Sequence, residues 1–222
     1  GSALDVAIGE TGEVGADLGF RPDEDGFSFA NFGADIPTSI LTVSELRRMF
    51  GTMGVCADVS GDRCIPFPAA EMWMNLVNES MTAGHCEGLA SLSLALHQGQ
   101  GRPDRYDVGA ISTYDLTTDT DVLMRDIAYQ FSLQFLEPVT SAYRAYQALP
   151  PSAILQTLID SFQAGGEETY TLGIYSAVGG HAVTPFAVED VGDGVFWLWV
   201  YDNNWPGSPR YIAIDVVEEA WA

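Results

Sequence analysis

Apolar residues recur with a helical period as far as Gly165-Gly166 and with a period of two beyond that point. Upstream, segments such as PSAILQTLIDSFQ place apolar side chains three and four positions apart, a spacing that predicts helices. Downstream, segments rich in β-branched and aromatic residues predict strands. Because the helices come first and the strands last, instead of alternating, the pattern predicts an α+β fold.

The predicted elements divide the chain into an arm and a domain. Residues 1–35 are rich in Gly, Asp and Glu without a sustained period, which predicts an irregular N-terminal arm held by Phe27, Phe29 and Phe32. Residues 36–222 form the predicted domain. Its helices are expected at about 44–50, 68–81, 86–98, 122–135 and 151–163, the second of them buried, and its strands at Thr169–Ser176, His181–Glu189, Val195–Asp202 and Tyr211–Val216.

The charge balance removes several functional classes. Nine arginines stand against 31 Asp and Glu, for a net charge of −22, and lysine is absent. So acidic a surface repels phosphate backbones and anionic membranes, and a chain without lysine has neither Schiff-base chemistry nor a phosphate-loop lysine. The apolar runs are too short for a transmembrane helix. We therefore expect no nucleic-acid partner, no membrane insertion and no cofactor.

The three cysteines divide into a pair and a single residue. Cys56 and Cys64 flank a polar turn whose Ser-Gly-Asp centre favours a tight reversal, so we expect a disulfide between them. Two buried free thiols are the alternative. With few histidines and two cysteines paired, we predict no zinc site, and the acidic loop at residues 23–26 lacks the spacing of a calcium loop.

Cys86 lies in a glycine-flanked turn, Gly84-His85-Cys86-Glu87-Gly88, that runs directly into an apolar helix. A thiol at a helix N-terminus faces the positive end of the helix dipole and unpaired N–H groups. Both favour the thiolate, and the same N–H groups could bind an oxyanion. A purely structural cysteine at a helix start is the alternative interpretation.

The three histidines leave one candidate for a general base. His85 adjoins Cys86, but neighbours at a helix start point in different directions. His97 lies about 16 Å along the helix axis from Cys86, because each helical residue rises about 1.5 Å. His181 remains, at the beginning of a predicted strand after two glycines.

The strand that begins at His181 is predicted to form a β-hairpin with the next strand, through a turn rich in Gly and Asp. A turn centred on Gly192 pairs position 181 with Asn203, and a shift of one position pairs it with Asp202 or Asn204. Each register places a carboxylate or a carboxamide beside His181. Such a group orients the imidazole of a Cys-His pair. A polar turn without a functional role is the alternative.

The order of these residues resembles that of papain-like cysteine peptidases: Cys86 opening a buried helix, His181 leading a strand, then Asp202 or Asn203. GHCEGLASLSLAL, GGHAVTPFAVED and VYDNNWPG are also similar to a group of bacterial papain-fold proteins. The similarity covers roughly residues 65–216. It implies a papain-like fold in which the nucleophile helix packs on a C-terminal antiparallel sheet. Transglutaminases and toxin deamidases share this order of residues.

The resemblance also implies a role for each matching residue. Cys86 would be the nucleophile, His181 the general base and then acid, and Asp202 or Asn203 the group that orients His181. The family's oxyanion glutamine, six residues before the cysteine, is replaced by a serine in this chain, and Asn78 is the nearby candidate for the amide donor.

The function implied is that of a cysteine-dependent amide hydrolase, a thiol protease acting on a protein or peptide substrate through an acyl-enzyme. The alternatives are glutamine deamidation or transglutaminase-type acyl transfer, and a catalytically inactive papain-fold binding module of a secreted protein. The expected disulfide favours a secreted or cell-surface location. Gly1-Ser2 is typical of a cloning remnant, so we expect any signal segment to lie upstream.

Overall fold

The computed structural model describes residues 13–33, 40–176 and 179–222 and has the mixed helical and sheet content of an α+β protein. Its helices are α1 (Val43–Phe50), α2 (Thr52–Val55), α3 (Pro68–Ser80), α4 (Cys86–His97), α5 (Asp121–Leu133), α6 (Glu137–Gln147) and α7 (Pro151–Gln163). Its strands are β1 (Glu13–Asp17), β2 (Cys56–Ser60), β3 (Arg63–Pro66), β4 (Leu172–Ser176), β5 (Gly179–Gly192), β6 (Val195–Tyr201), β7 (Pro209–Asp215) and β8 (Ala220–Trp221). Short 3₁₀ turns lie at Met81–Ala83, Pro103–Arg105 and Thr113–Asp115. Among the described residues, no helix is long and apolar enough to cross a membrane.

Six of the described strands form one antiparallel sheet around the long strand β5. β1 and β4 share one edge of β5, while β6, β7 and β8 follow in order from its other edge. The two faces of β6 are both apolar: Leu198 and Val200 belong to the core cluster under α7, and Trp199 and Tyr201 pack with Leu94 of α4. Helices therefore cover both faces of the sheet, and β6 is central, as its apolar sequence predicts.

The β5–β6 hairpin turns at Asp193-Gly194, one position beyond the predicted centre at Gly192. Both turn residues have positive φ, 55° and 80°, the signature of a type I′ turn, and Asp-Gly is a preferred pair for that turn. β-Bulges near positions 186 and 191 each shift the register back by one position, so the last pair toward the site is Thr184 with Tyr201. The residues after Tyr201 therefore leave the ladder and turn toward β5.

The disulfide between Cys56 and Cys64 is confirmed, with 5.4 Å between the Cα atoms. It crosses the β2–β3 hairpin, in which Cys64 pairs with Val59. Cys56 is buried in the helical core cluster with Leu46 and Val55, so the bridge fastens the hairpin to the helices.

The predicted irregular arm contains a strand, which sequence reasoning missed. β1 has the sequence EVGAD, in which every residue except the valine has low strand propensity, and it forms because β5 offers a free edge to pair with. Phe27 is completely buried, and Phe29 and Phe32 pack against the same cluster, so the aromatic residues hold this part of the chain as expected. Residues 1–12 and 34–39, which include the predicted boundary between arm and domain, lie outside the described residues.

Two further expectations about helices are corrected. α3 was predicted to be buried, yet Met72 and Leu76 are 62% and 57% exposed, because only the face with Val77 packs into the helical core. The expected helices also leave out α6, because a proline just after the helix at 122–135 is typical of a helix end. Pro138 instead lies in the first turn of α6, where its missing N–H leaves no hydrogen bond unmade.

Candidate active site

The nucleophile candidate is placed by the start of α4. Cys86 is the first residue of this helix and is a partly exposed free thiol. Gly84 just before it has φ of 147°, a conformation that separates the helix from the preceding 3₁₀ turn. At Gly88 a Cβ would lie 2.3 Å from the backbone oxygen of Ile127, so glycine lets α4 pack closely on α5. The helix is thus held rigidly with its first turn at the surface.

His181 contacts both partners that a cysteine hydrolase requires. Its Nε2 lies 2.8 Å from Oδ1 of Asp202 and 3.2 Å from the Asn204 carboxamide nitrogen. The side chain of Cys86 is its other neighbour, whose interaction with the ring contributes to the raised pKa of His181. Because Nε2 is directed at Asp202, the ring presents Nδ1 to the thiol, and an ionised Asp202 fixes the tautomer that carries its proton on Nε2. The side chains of His181 and Asp202 are 23% and 19% exposed, so the pair lies at the edge of solvent.

The charges of the three groups favour an imidazolium. Burial lowers the pKa of His181, but the hydrogen bonds and charges of Asp202 and Cys86 outweigh burial and raise it to about 9. Burial likewise opposes ionisation of Asp202, while the hydrogen bond to His181 and the Asn204 backbone N–H lower its pKa. At neutral pH the site therefore holds a positive imidazole between an anionic carboxylate and the cysteine.

Asn203 does not orient His181; it fastens the two candidate catalytic residues to each other. Its side chain is completely buried, and its Nδ2 donates to the backbone oxygens of Cys86, at 3.0 Å, and of Ala182, at 2.9 Å. Ala182 directly follows His181 in β5. The sequence left Asp202 and Asn203 as alternative orienting groups, and the structure gives them different positions. Asp202 contacts the imidazole, whereas Asn203 joins the backbones of Cys86 and Ala182.

Asn78 is not at the nucleophile. Its Oδ1 accepts from Leu41 N–H and its Nδ2 donates to Leu41 O, each at 3.0 Å, so both ends of the carboxamide are engaged by one backbone residue. The expectation that Asn78 supplies the oxyanion donor stays a prediction, and this engagement of its carboxamide does not support it. The unpaired N–H groups in the first turn of α4 are the donors that remain beside Cys86.

The other two histidines serve structure. His85 is buried against Phe32, its Nδ1 lies 2.7 Å from Phe32 O, and burial lowers its pKa. His97 lies 3.1 Å from Asp25, whose hydrogen bond raises the pKa of His97. Both positions agree with their exclusion as bases for Cys86.

Two residues near the site were not found by sequence reasoning. Asn31 accepts a hydrogen bond from His85 N–H at 2.8 Å, and its own N–H donates to Asn203 O at 2.7 Å. No sequence signal could have placed this loop residue there, since it lies 54 positions before His85. The other residue, Glu87, carried a signal that was passed over: it is an acid in the first turn of an otherwise apolar helix.

Among the described residues, no group of three or more His, Cys, Asp or Glu side chains is arranged to hold a metal ion. No protein-family model matches the sequence, and no curated protein or solved structure is significantly similar to it. The function is therefore inferred from the geometry of the site.

Proposed function

We propose that this chain is a cysteine-dependent amide hydrolase of the papain-like type, acting on protein or peptide substrates through an acyl-enzyme. One observation carries the proposal: His181 Nε2 lies 2.8 Å from Asp202 Oδ1, and the same ring interacts with Cys86 at the start of a buried helix. A nucleophile, a base and an orienting acid in this arrangement form the common triad of cysteine hydrolases.

In the proposed reaction, the Cys86 sulfur attacks the substrate carbonyl carbon and forms a tetrahedral intermediate. The His181 imidazolium then gives its proton to the leaving amine, and the C–N bond breaks to leave a thioester on Cys86. Neutral His181 next takes a proton from water, which attacks the thioester and releases the acid. Asp202 holds the ring in place through both steps.

The N–H groups of the first turn of α4 would stabilise the oxyanion. They lie beside Cys86 and have no intrahelical acceptors, and the positive end of the helix dipole adds to their effect. Loss of one such donor typically costs about 3–4 kcal/mol of transition-state stabilisation. The helix N–H groups alone would therefore allow catalysis. Without a side-chain amide such as the glutamine of papain-like enzymes, we expect the reaction to be slow.

We place the protein outside the reducing cytosol, as a secreted or cell-surface protein. The disulfide Cys56–Cys64 supports this location, since such bonds persist mainly in oxidising compartments. An acidic surface with a net charge of −22 agrees with an extracellular hydrolase that must stay soluble.

The first experiment compares Cys86 alkylation by iodoacetamide at pH 6 in wild type and in His181→Ala, read by peptide mass spectrometry. An imidazolium beside the sulfur keeps it reactive in acid, so we expect alkylation to be at least about tenfold slower without His181. Asp62→Asn, an exposed acid on the β2–β3 hairpin, is the control and should react like wild type.

Activity is then tested by incubating wild type and Cys86→Ala with a peptide library and with glutamine-containing peptides. New peptide termini that require Cys86 support the hydrolase. Ammonia release without cleavage replaces it with acyl transfer or deamidation. Equal and slow alkylation in wild type and His181→Ala overturns the enzymatic proposal and leaves a binding module.

A further inference from the structure

One acidic side chain beside Cys86 takes no part in the proposed reaction. Glu87 follows the nucleophile in α4, and its Oε1 accepts a hydrogen bond from Thr171 Oγ1 at 3.1 Å. Burial, only partly offset by that hydrogen bond, raises the pKa of Glu87 to about 7. An acid held in this way has a strong preference for a cationic partner.

The described residues supply no such partner. None of the ion pairs among the described residues involves Glu87, and the chain contains no lysine. The other carboxylate of the site, Asp202, is already paired with His181. Glu87 is therefore the carboxyl group near Cys86 that has no cationic partner among the described residues and is available to a cationic group of a ligand.

Two tyrosines form a wall next to this acid. The Tyr175 ring lies flat over Gly173 and Gly180, where a Cβ would come within 2.7 Å of it, so the ring covers the strand directly before His181. Tyr143 packs edge-on against it, with 5.5 Å between the centroids. The two side chains are 53% and 39% exposed, which leaves aromatic surface open to a ligand.

The hydrogen bond from Thr171 connects Glu87 to β4, because Thr171 directly precedes this strand and Tyr175 lies on it. Burial, Tyr143, and then the charges of Glu87 and Cys86 raise the pKa of Tyr175 to about 12. The phenol therefore lies within electrostatic reach of both α4 residues. An aromatic face beside a carboxylate is a common binding site for ammonium and guanidinium groups.

We propose that Glu87, with Tyr175 and Tyr143, forms a subsite that binds a cationic side chain, an amine or a guanidinium, next to the bond attacked by Cys86. This inference rests on the proposed function for the role of Cys86 and names its substrate class: peptides with a basic residue beside the scissile bond. The net charge of −22 would assist by attracting such substrates from a distance.

The test measures charge selectivity at Cys86 and needs no substrate. Three methanethiosulfonates of similar size, with a cationic, a neutral and an anionic tail, react with the Cys86 thiolate. Each transfers its alkylthio group to the Cys86 sulfur, forming a mixed disulfide as the reagent's own S–S bond breaks and methanesulfinate leaves. The described residues contain one free thiol, Cys86, so labelling is site-specific. The ratio of the cationic to the anionic rate reports the subsite, because the reactivity of the thiol itself cancels in the ratio.

We expect Glu87→Gln to lower this ratio at pH 8 by about fivefold, the effect of removing one charge about 8 Å from the reagent's tail in a water-like dielectric. Glu71→Gln is the matched control: it removes one charge from an exposed position of α3 and should leave the ratio within about twofold. Equal ratios in the two variants would show that only the overall charge matters and would overturn the subsite.

The pH dependence separates Glu87 from ordinary surface acids. The titratable groups facing it are Cys86 on its own helix, Tyr175 on β4 with Tyr143 behind it, and His181 on β5 beyond Cys86. With pKa values of about 12 and 9, Tyr175 stays neutral and His181 stays charged between pH 6 and 8. The wild-type ratio should therefore fall between pH 8 and pH 6 as Glu87 takes up a proton, and a ratio that stays constant contradicts the subsite.

A second variant keeps the test decisive if Glu87→Gln does not fold. Tyr175→Leu removes aromatic surface from the exposed wall and should lower the ratio by about twofold, the size of an exposed cation–π contact. An unchanged ratio in this variant argues against the wall. The neutral reagent tests the proposed function separately: if His181→Ala leaves its rate unchanged, the triad fails even when the charge selectivity holds.

Discussion

The two residues that follow β6 stabilise the site in different ways, and separate substitutions can distinguish them. Asp202 acts on the protonation of His181, whereas Asn203 acts on the distance between two backbones. The effect of Asp202 is therefore measured by titration of His181, and the effect of Asn203 by the free energy of unfolding.

Asp202→Asn should lower the pKa of His181. The carboxylate of Asp202 accepts a hydrogen bond from the ring and attracts its charge, and with Cys86 it raises that pKa to about 9 despite burial. The imidazolium is thus present at neutral pH and is lost as pH rises through 9. Imidazole NMR titration of the variant should show a midpoint lower by at least about one pH unit, with Asp62→Asn unchanged. A midpoint that stays near 9 would contradict this role.

Asn203→Asp should destabilise the fold. The substitution has nearly the same shape but replaces the Nδ2 donor with an oxygen that faces the backbone oxygens of Cys86 and Ala182. Buried acceptors without donors typically cost about 1–3 kcal/mol each. We expect the free energy of unfolding in urea to fall by about 3 kcal/mol. Asn75→Asp, on the exposed face of α3, should change it by less than about 0.5 kcal/mol, and an equal loss in both variants would exclude the clamp.

At the scale of elements, the position of α4 depends on its close packing against α5. Gly88→Ala would place the new Cβ only 2.3 Å from Ile127 O, so the two helices must move apart. We expect a loss of about 1–3 kcal/mol in thermal unfolding, as for overpacking elsewhere. Gly54→Ala, whose Cβ would meet only Phe50 at 3.6 Å, is the helical control and should be neutral or slightly stabilising. Similar stability of the two variants would show that α4 tolerates displacement.

Some elements could be predicted from local sequence patterns and others could not. The Cys56–Cys64 disulfide and the strand after Gly180 follow from local patterns, because turn chemistry and a period of two are local properties. The Asp193-Gly194 turn could also have been predicted, since that pair favours a type I′ hairpin. The register beside the site could not, because two β-bulges shift it between the turn and Thr184. α6 was missed through its early proline, which ends a helix only when it lies beyond the first turn.

The contacts that complete the site could not be read from the sequence. Asn31 reaches His85 from a loop, and the Tyr175 ring lies over Gly180 only because two adjacent strands lack side chains there. Such contacts depend on how distant segments pack, a property for which a single sequence carries no local signal. Sequence spacing alone likewise suggested Asn78 as an amide donor, because its hydrogen-bond partner Leu41 lies 37 positions away and leaves no local signal.

For the whole molecule, repulsion between acidic groups should limit stability. Among the described residues, arginine pairs only with Asp17, Asp104 and Asp126, so most of the negative charge has no close cation. Raising NaCl from low to physiological concentration shortens the Debye length to about 8 Å and weakens this repulsion. The melting temperature should rise by about 3 °C for each kcal/mol of repulsion screened. A neutral osmolyte at equal osmolality is the control, and an equal rise with it would contradict the electrostatic cause.

The clamp around Asn203 also dictates when the site can form during folding. It joins the loop at Asn31, the helix at Cys86 and the end of β6, and the contact between Asn203 and Cys86 spans 117 positions. Contacts of such long range form late, because their loop-closure entropy precedes any stabilisation. After dilution from urea, far-ultraviolet circular dichroism should therefore recover before acid-reactive Cys86 does. Until β6 is in place, nascent chains would therefore lack the contact between Asn203 and Cys86, and any reactivity that Cys86 owes to its folded surroundings would be the last property acquired.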